Sequence, residues 1–131
     1  MKPSTDLPQS EKLEEILPIE SADMHYARIE EDDEMRDWTV YLSPFPKICS
    51  LYVENLPCWS TQALLDEIPY TLLNKDNEDL KLHIEKDGEQ YYLFYENEYT
   101  GDMFEIETDM YDDMVDAYVE MILKLKEKGL L

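Results

Sequence analysis

The chain has 131 residues, 44% of them hydrophobic, and its 32 acidic side chains against 11 basic ones leave a formal net charge of −21. The hydrophobic content is too high for a disordered acidic chain and predicts a packed core. The charge disfavours direct contact with nucleic acid phosphates, and no apolar run approaches the roughly 20 residues that a membrane-spanning helix needs.

Residues 1–7 read as a flexible N-terminus and residues 8–131 as a single α+β domain. "MKPSTDLPQSEKLEE" has no apolar stretch after Lys2, so it does not read as a secretory signal, and a cytoplasmic location is expected. In "DLPQSEKLEEILP", Asp6 can cap a short helix, Pro8 suits its first turn and Pro18 ends it. Leu13, Ile16 and Leu17 give that helix an apolar edge. "ADMHYARIEEDDEMRDWTVYLS" reads as two strands around an acidic turn, with Trp38, Val40 and Leu42 alternating with Thr39, Tyr41 and Ser43. "SPFP" interrupts the pattern, and "KICSLYVENLP" supplies a third strand with Cys49, Leu51 and Val53 on one face. Ser60 offers an N-cap for "TQALLDEI", which Pro69 terminates. "PYTLLN" is open between a last helical turn and a strand.

The second half carries the strongest local signal. "LKLHIEKDGEQYYLFYE" reads as a hairpin closed at Asp87-Gly88, because Asp-Gly supports a two-residue turn with positive φ. That turn predicts Leu80, Leu82 and Ile84 opposite Tyr95, Leu93 and Tyr91 on the core face. Lys81, His83 and Glu85 then oppose Phe94, Tyr92 and Gln90 on the outer face. A further turn at "YTGD" leads into "MFEIE", with Phe104 and Ile106 on the core face and Glu96 opposite Glu105. "DMYDDMVDAYVEMILKLKEKG" reads as a helix capped by Asp109, with Tyr111, Met114, Val115, Tyr118, Met121, Ile122 and Leu125 as its apolar stripe and Gly129 as its stop. The order α-β-β-β-α-β-β-β-α predicts an α+β fold, an antiparallel sheet with helices packed on one face.

The acid is unevenly placed. Residues 11–37 carry 11 acids and 3 bases and residues 76–120 carry 16 acids and 2 bases, whereas residues 38–75 carry 3 acids and 2 bases. The flanks are therefore strongly anionic around a nearly neutral middle that holds both tryptophans.

Little in the chain points to chemistry. Cys49 and Cys58 read as reduced thiols, and His25 and His83 show no metal-ligand spacing. "NKDNEDLKLHIE" imitates a calcium loop at Asn74, Asp76, Glu78 and Glu85, but Asp79 stands where the sharp turn needs glycine, so a solvated turn is the better reading. No nucleophile–base constellation and no glycine-rich phosphate loop can be assembled. No catalytic residue, cofactor or metal is expected. The aromatic outer face is the more informative feature: Tyr92 and Phe94, with Trp38, Tyr52 and Trp59 from the neutral middle, are the candidate partner-binding residues.

The "LEEIL" helix, "SLYVENLP" before a helix, "TLLN" after it, and "LKLHIEKDGEQYYLFYE" leading to the last helix resemble, over roughly residues 8–128, type III secretion chaperones of the CesT kind and the related YbjN-like proteins. The resemblance is one of element order, size and acidity. It implies a twisted sheet flanked by helices, a homodimer, and binding of an extended segment of another protein. A chaperone-like protein-binding module is thus expected, its partner a protein of basic character. The alternative is an inhibitor that imitates nucleic acid, of the anti-restriction or immunity type, and a scaffold without a ligand is the third possibility.

Overall fold

A computed structural model describes residues 2–44, 46, 53–74, 76–101 and 103–131, without the side chains of residues 103–105. The expected strand residues 47–52, with Cys49 and Tyr52, lie outside that range. The fold is α+β, and among the described residues the antiparallel strands divide between two four-stranded sheets. Two compact units can be distinguished, residues 3–63 and residues 64–131 together with residues 1–2.

In the first unit, Asp6 caps α1 (Leu7–Glu14) through a reciprocal pair of bonds. Gln9 N–H donates to Asp6 Oδ1 at 2.9 Å and Asp6 N–H to Gln9 Oε1 at 3.0 Å, which satisfies two amides that a helix start leaves open. Leu13 and Leu17 are buried from this segment, and α1 packs on β4 (Val53–Cys58). The centre of the sheet is β1 (Met24–Glu31), which pairs with β4 on one side and with β2 (Glu34–Met35) and β3 (Thr39–Tyr41) on the other. Asp32 and Asp33 close the β1–β2 turn at φ 54° and 62°, the pattern of a type I′ turn made without glycine. The single returning strand expected after the acidic turn is split in two, β2 before Trp38 and β3 after it. Arg36 N–H still bonds Ile29 C=O, but Thr39 faces Ala27, so the returning chain carries one residue more than β1 over that stretch. Ser4 is bridged to Ser60, and Thr5 N–H bonds the Trp59 carbonyl at 3.0 Å. Cys58 is a free, buried thiol.

α2 (Thr61–Glu67) leads into the second unit, its start capped by Ser60 Oγ, which accepts from Ala63 N–H at 3.2 Å. The second sheet runs in the order β5 (Thr71–Leu73), β6 (Asp79–Asp87), β7 (Gln90–Asn97), β8 (Met103–Glu107). The open segment "PYTLLN" thus resolves to a short edge strand. The central hairpin has the expected faces but not the expected register. Leu82 lies opposite Tyr95, Ile84 opposite Leu93 and Asp87 opposite Gln90, a displacement of two residues from pairing through Asp87-Gly88. The turn residues are instead Gly88 and Glu89, and Gly88 at φ 64° alone takes the left-handed conformation. Glycine in the first central position suits a type II′ turn, and a left-handed Asp87 becomes unnecessary. Because the shift is even, every side chain keeps its face.

Two further corrections follow from hydrogen bonding. A bulge between Phe94 and Glu96 sets Glu96 opposite Met103 rather than Glu105. The last helix, α3 (Met114–Glu127), begins later than a cap at Asp109 implies, with Asp113 at the N-cap. Tyr91 and Tyr111 exchange backbone bonds of 2.7 and 2.9 Å, which hold residue 111 extended along the sheet and delay the helix. Val115, Tyr118, Met121, Ile122 and Leu125 form the buried stripe, and α3 packs on β7 and β8. Gly129 at φ 71° ends α3 with bonds from its N–H to Lys126 C=O and from Leu130 N–H to Leu125 C=O, a Schellman motif.

Candidate functional site

The outer face of the β6–β7 hairpin holds a short stack of rings. His83 lies directly opposite Phe94, with centroids 5.1 Å apart and planes within 6°. Tyr92 stacks on Phe94 at 5.7 Å. Phe94 is buried, 7% exposed, so Tyr92 and His83, both half-buried, are the rings this face presents. Charge frames them: His83 Nε2 lies 3.8 Å from a Glu96 carboxylate oxygen, and Lys81 pairs with Glu98, whose carboxylate holds the lysine pKa above its ordinary value.

The inner face is apolar and partly open. Leu80, Leu93 and Tyr95 are fully or almost fully buried. Further along β6, Leu82 and Ile84 join Leu65, Ile68 and Tyr70 around a groove of about 380 Å³. Tyr70 is 65% and Ile84 39% exposed, so the groove walls reach the surface. The Tyr95 hydroxyl donates to the Pro69 carbonyl at 2.5 Å and holds the turn between Ile68 and Tyr70 in place. Burial pushes the Tyr95 phenol well above its ordinary pKa.

The remaining expected site residues lie in the other unit or outside the described range. Trp59 is fully buried, its indole N–H donating to Ser21 Oγ at 2.8 Å, so it is a core residue there. Trp38 is half-buried under the Arg28 guanidinium, 4.6 Å from the ring centroid, and Arg28 also pairs with Glu54 at 2.6 Å. Tyr52 lies outside the described residues. The groove at Leu65, Ile68 and Tyr70 was not among the expected site residues. Of its lining only Tyr70 belongs to "PYTLLN", the segment open between a helical turn and a strand, and nothing in that segment announces the contact with β6.

The loop that imitates a calcium site is closed by its own hydrogen bonds. Asn74 Oδ1 accepts from the amides of Asp76 and Glu78, each at 2.9 Å. Glu78 accepts from Asn97 and Asn74 side chains, which hold its pKa below the ordinary carboxylate value. Among the described residues no group of three histidine, cysteine or acidic side chains is placed to hold a metal ion. None of the described helices is long and apolar enough to cross a membrane. Comparison with family models, curated proteins and solved structures returned no match.

Proposed function

We propose that the protein is a cytoplasmic, non-enzymatic, chaperone-like binding module that holds an extended segment of a partner protein against its second sheet. The observation that supports this most is the open apolar groove at Leu65, Ile68, Tyr70, Leu82 and Ile84 in a chain whose surface is otherwise strongly anionic. An apolar recess rimmed by charge has the composition of an interaction surface, and the acidic rim steers basic partners toward it. A homodimer belongs to the same proposal, tested by light scattering on the purified chain.

Affinity capture from the native host at low and high salt tests the reading, with Ile84→Asp as the control. Groove binding persists in high salt and is lost in the variant. A nucleic acid mimic behaves oppositely, because a chain of charge contacts weakens steeply with ionic strength while one groove residue matters little.

A further inference from the structure

We propose that the unpaired half of β6 accepts a partner strand in which apolar residues alternate with basic ones, a proposal that rests on the protein-binding reading and specifies its ligand. β5 covers β6 only from Asp79 to Lys81, and the last bond on that side runs from Leu82 N–H to Tyr70 C=O at 2.9 Å. In an antiparallel strand successive residues direct their backbone groups to opposite sides. Leu82 points away from β7, so Ile84 and Lys86 point the same way, while His83 and Glu85 bond to Phe94 and Tyr92. β7 agrees, since Tyr91 and Leu93 direct their amides and carbonyls to Tyr111 and to residue 108 on its far side. Among the described residues nothing pairs with the outward N–H and C=O groups of Ile84 and Lys86. Those four groups lie on the same strand that floors the apolar groove.

An unpaired strand edge beside an apolar recess provides what strand addition requires: backbone bonds for affinity and a pocket for alternate side chains. The side chains of β6 fix which strand fits. On the inner face the incoming residue opposite Ile84 also meets Leu82 across the diagonal, so that position takes an apolar side chain. The next inner position faces Lys86, whose ammonium lies over the Tyr91 ring. On the outer face its neighbours meet Glu85 and Asp87, both exposed, with exposed Glu89 in the adjoining turn. Opposite charges across a pair stabilise it and like charges destabilise it, so those positions take lysine or arginine. The same acids argue against a second copy of this edge as the occupant. The antiparallel registers that pair the outward groups of Lys86 with Ile84 or Lys86 of the second copy set Glu85 against Glu85 or Asp87. The register that would avoid this needs Leu82, whose N–H already bonds Tyr70.

The test is titration of the full chain with a capped octapeptide alternating valine with lysine. Parallel titrations use its form N-methylated on alternate amides and a peptide alternating valine with glutamate. The expected result is saturable binding of the valine–lysine peptide, weakened about tenfold or more by N-methylation, by glutamate in place of lysine, and by Lys86→Pro. That variant removes an N–H with no partner among the described residues. If Lys86→Pro unfolds the chain, the N-methylated peptide alone carries the comparison. Equal binding of the parent and N-methylated peptides overturns strand addition, and equal binding of the glutamate peptide overturns the basic specificity. If no peptide binds while Ile84→Asp still abolishes capture of the native partner, this proposal falls and the protein-binding reading stands. If Ile84→Asp has no effect either, both fall.

Discussion

Replacing Tyr95 with phenylalanine removes one hydroxyl from a fully buried ring and leaves its apolar surface in place. The loss is the 2.5 Å bond to the Pro69 carbonyl. A neutral intramolecular hydrogen bond contributes about 1 kcal/mol net, and Pro69 is only half-buried, so water recovers part of the acceptor. The expected cost at neutral pH is therefore about 1 kcal/mol, or a melting temperature lower by roughly 3–6 °C for a chain of this size. Urea unfolding followed by far-UV circular dichroism measures it. The difference has a pH signature. Burial raises the folded Tyr95 value above the ordinary 10.0, so the unfolded chain loses this proton first. Wild-type stability from this group is complete below 10.0 and declines above it, by about 1.4 kcal/mol one pH unit higher. Phenylalanine has no such decline, so the two proteins should converge near that pH. No loss at neutral pH, or a loss that does not shrink in alkali, refutes the reasoning.

Turn chemistry predicts opposite signs at two positions. Gly88→Ala should destabilise by about 1 kcal/mol purely through its backbone, since φ is 64° and no atom lies within 4 Å of the added methyl. Asp33→Gly should stabilise by about 0.5–1 kcal/mol because it relieves a left-handed aspartate at φ 62°; denaturant midpoints check both. Added sodium chloride should raise the melting temperature, because a net charge of −21 repels itself and salt screens that repulsion; no rise, or a fall, contradicts it. Tyr111 is pushed up to about 12 by its hydrogen bond to Glu120 and by burial. A titration of tyrosinate absorbance should therefore place one group near that value in the folded chain, and Glu120→Gln should return it toward 10.0.

Much of the fold was legible because its local signals agree. Asp6, Ser60 and Gly129 mark helix ends by chemistry that needs no distant contact. The stripe from Val115 to Leu125 names the buried face of α3 by spacing alone. The faces of β6 and β7 could be read from alternation, since that pattern has period two. Register could not, because a displacement of two residues leaves every side chain on the same face. The Asp-Gly pair allowed two turn placements, and only the assembled hairpin distinguishes them. That choice also decides which amides of β6 face outward, information that hydrophobic patterning does not contain. The late start of α3 has a similar origin, because Tyr111 is held by a bridge to a residue 20 positions earlier. Tyr92 and Phe94 share the face that alternation assigns them, but Phe94 is buried, and the observed register stacks His83 on it. The groove depends on Tyr70 and Ile68 meeting β6, a contact across the sequence that a short ambiguous segment could not announce.

Residue-resolved amide hydrogen exchange along β6 tests the central claim most directly. In the free protein His83 and Glu85, bonded to β7, should exchange slowly, and Ile84 and Lys86 should exchange rapidly. Saturation with the valine–lysine octapeptide should slow Ile84 and Lys86 and leave the other two unchanged. Rapid exchange at His83 and Glu85 instead, or no slowing at Ile84 and Lys86 with the peptide bound, would contradict the account.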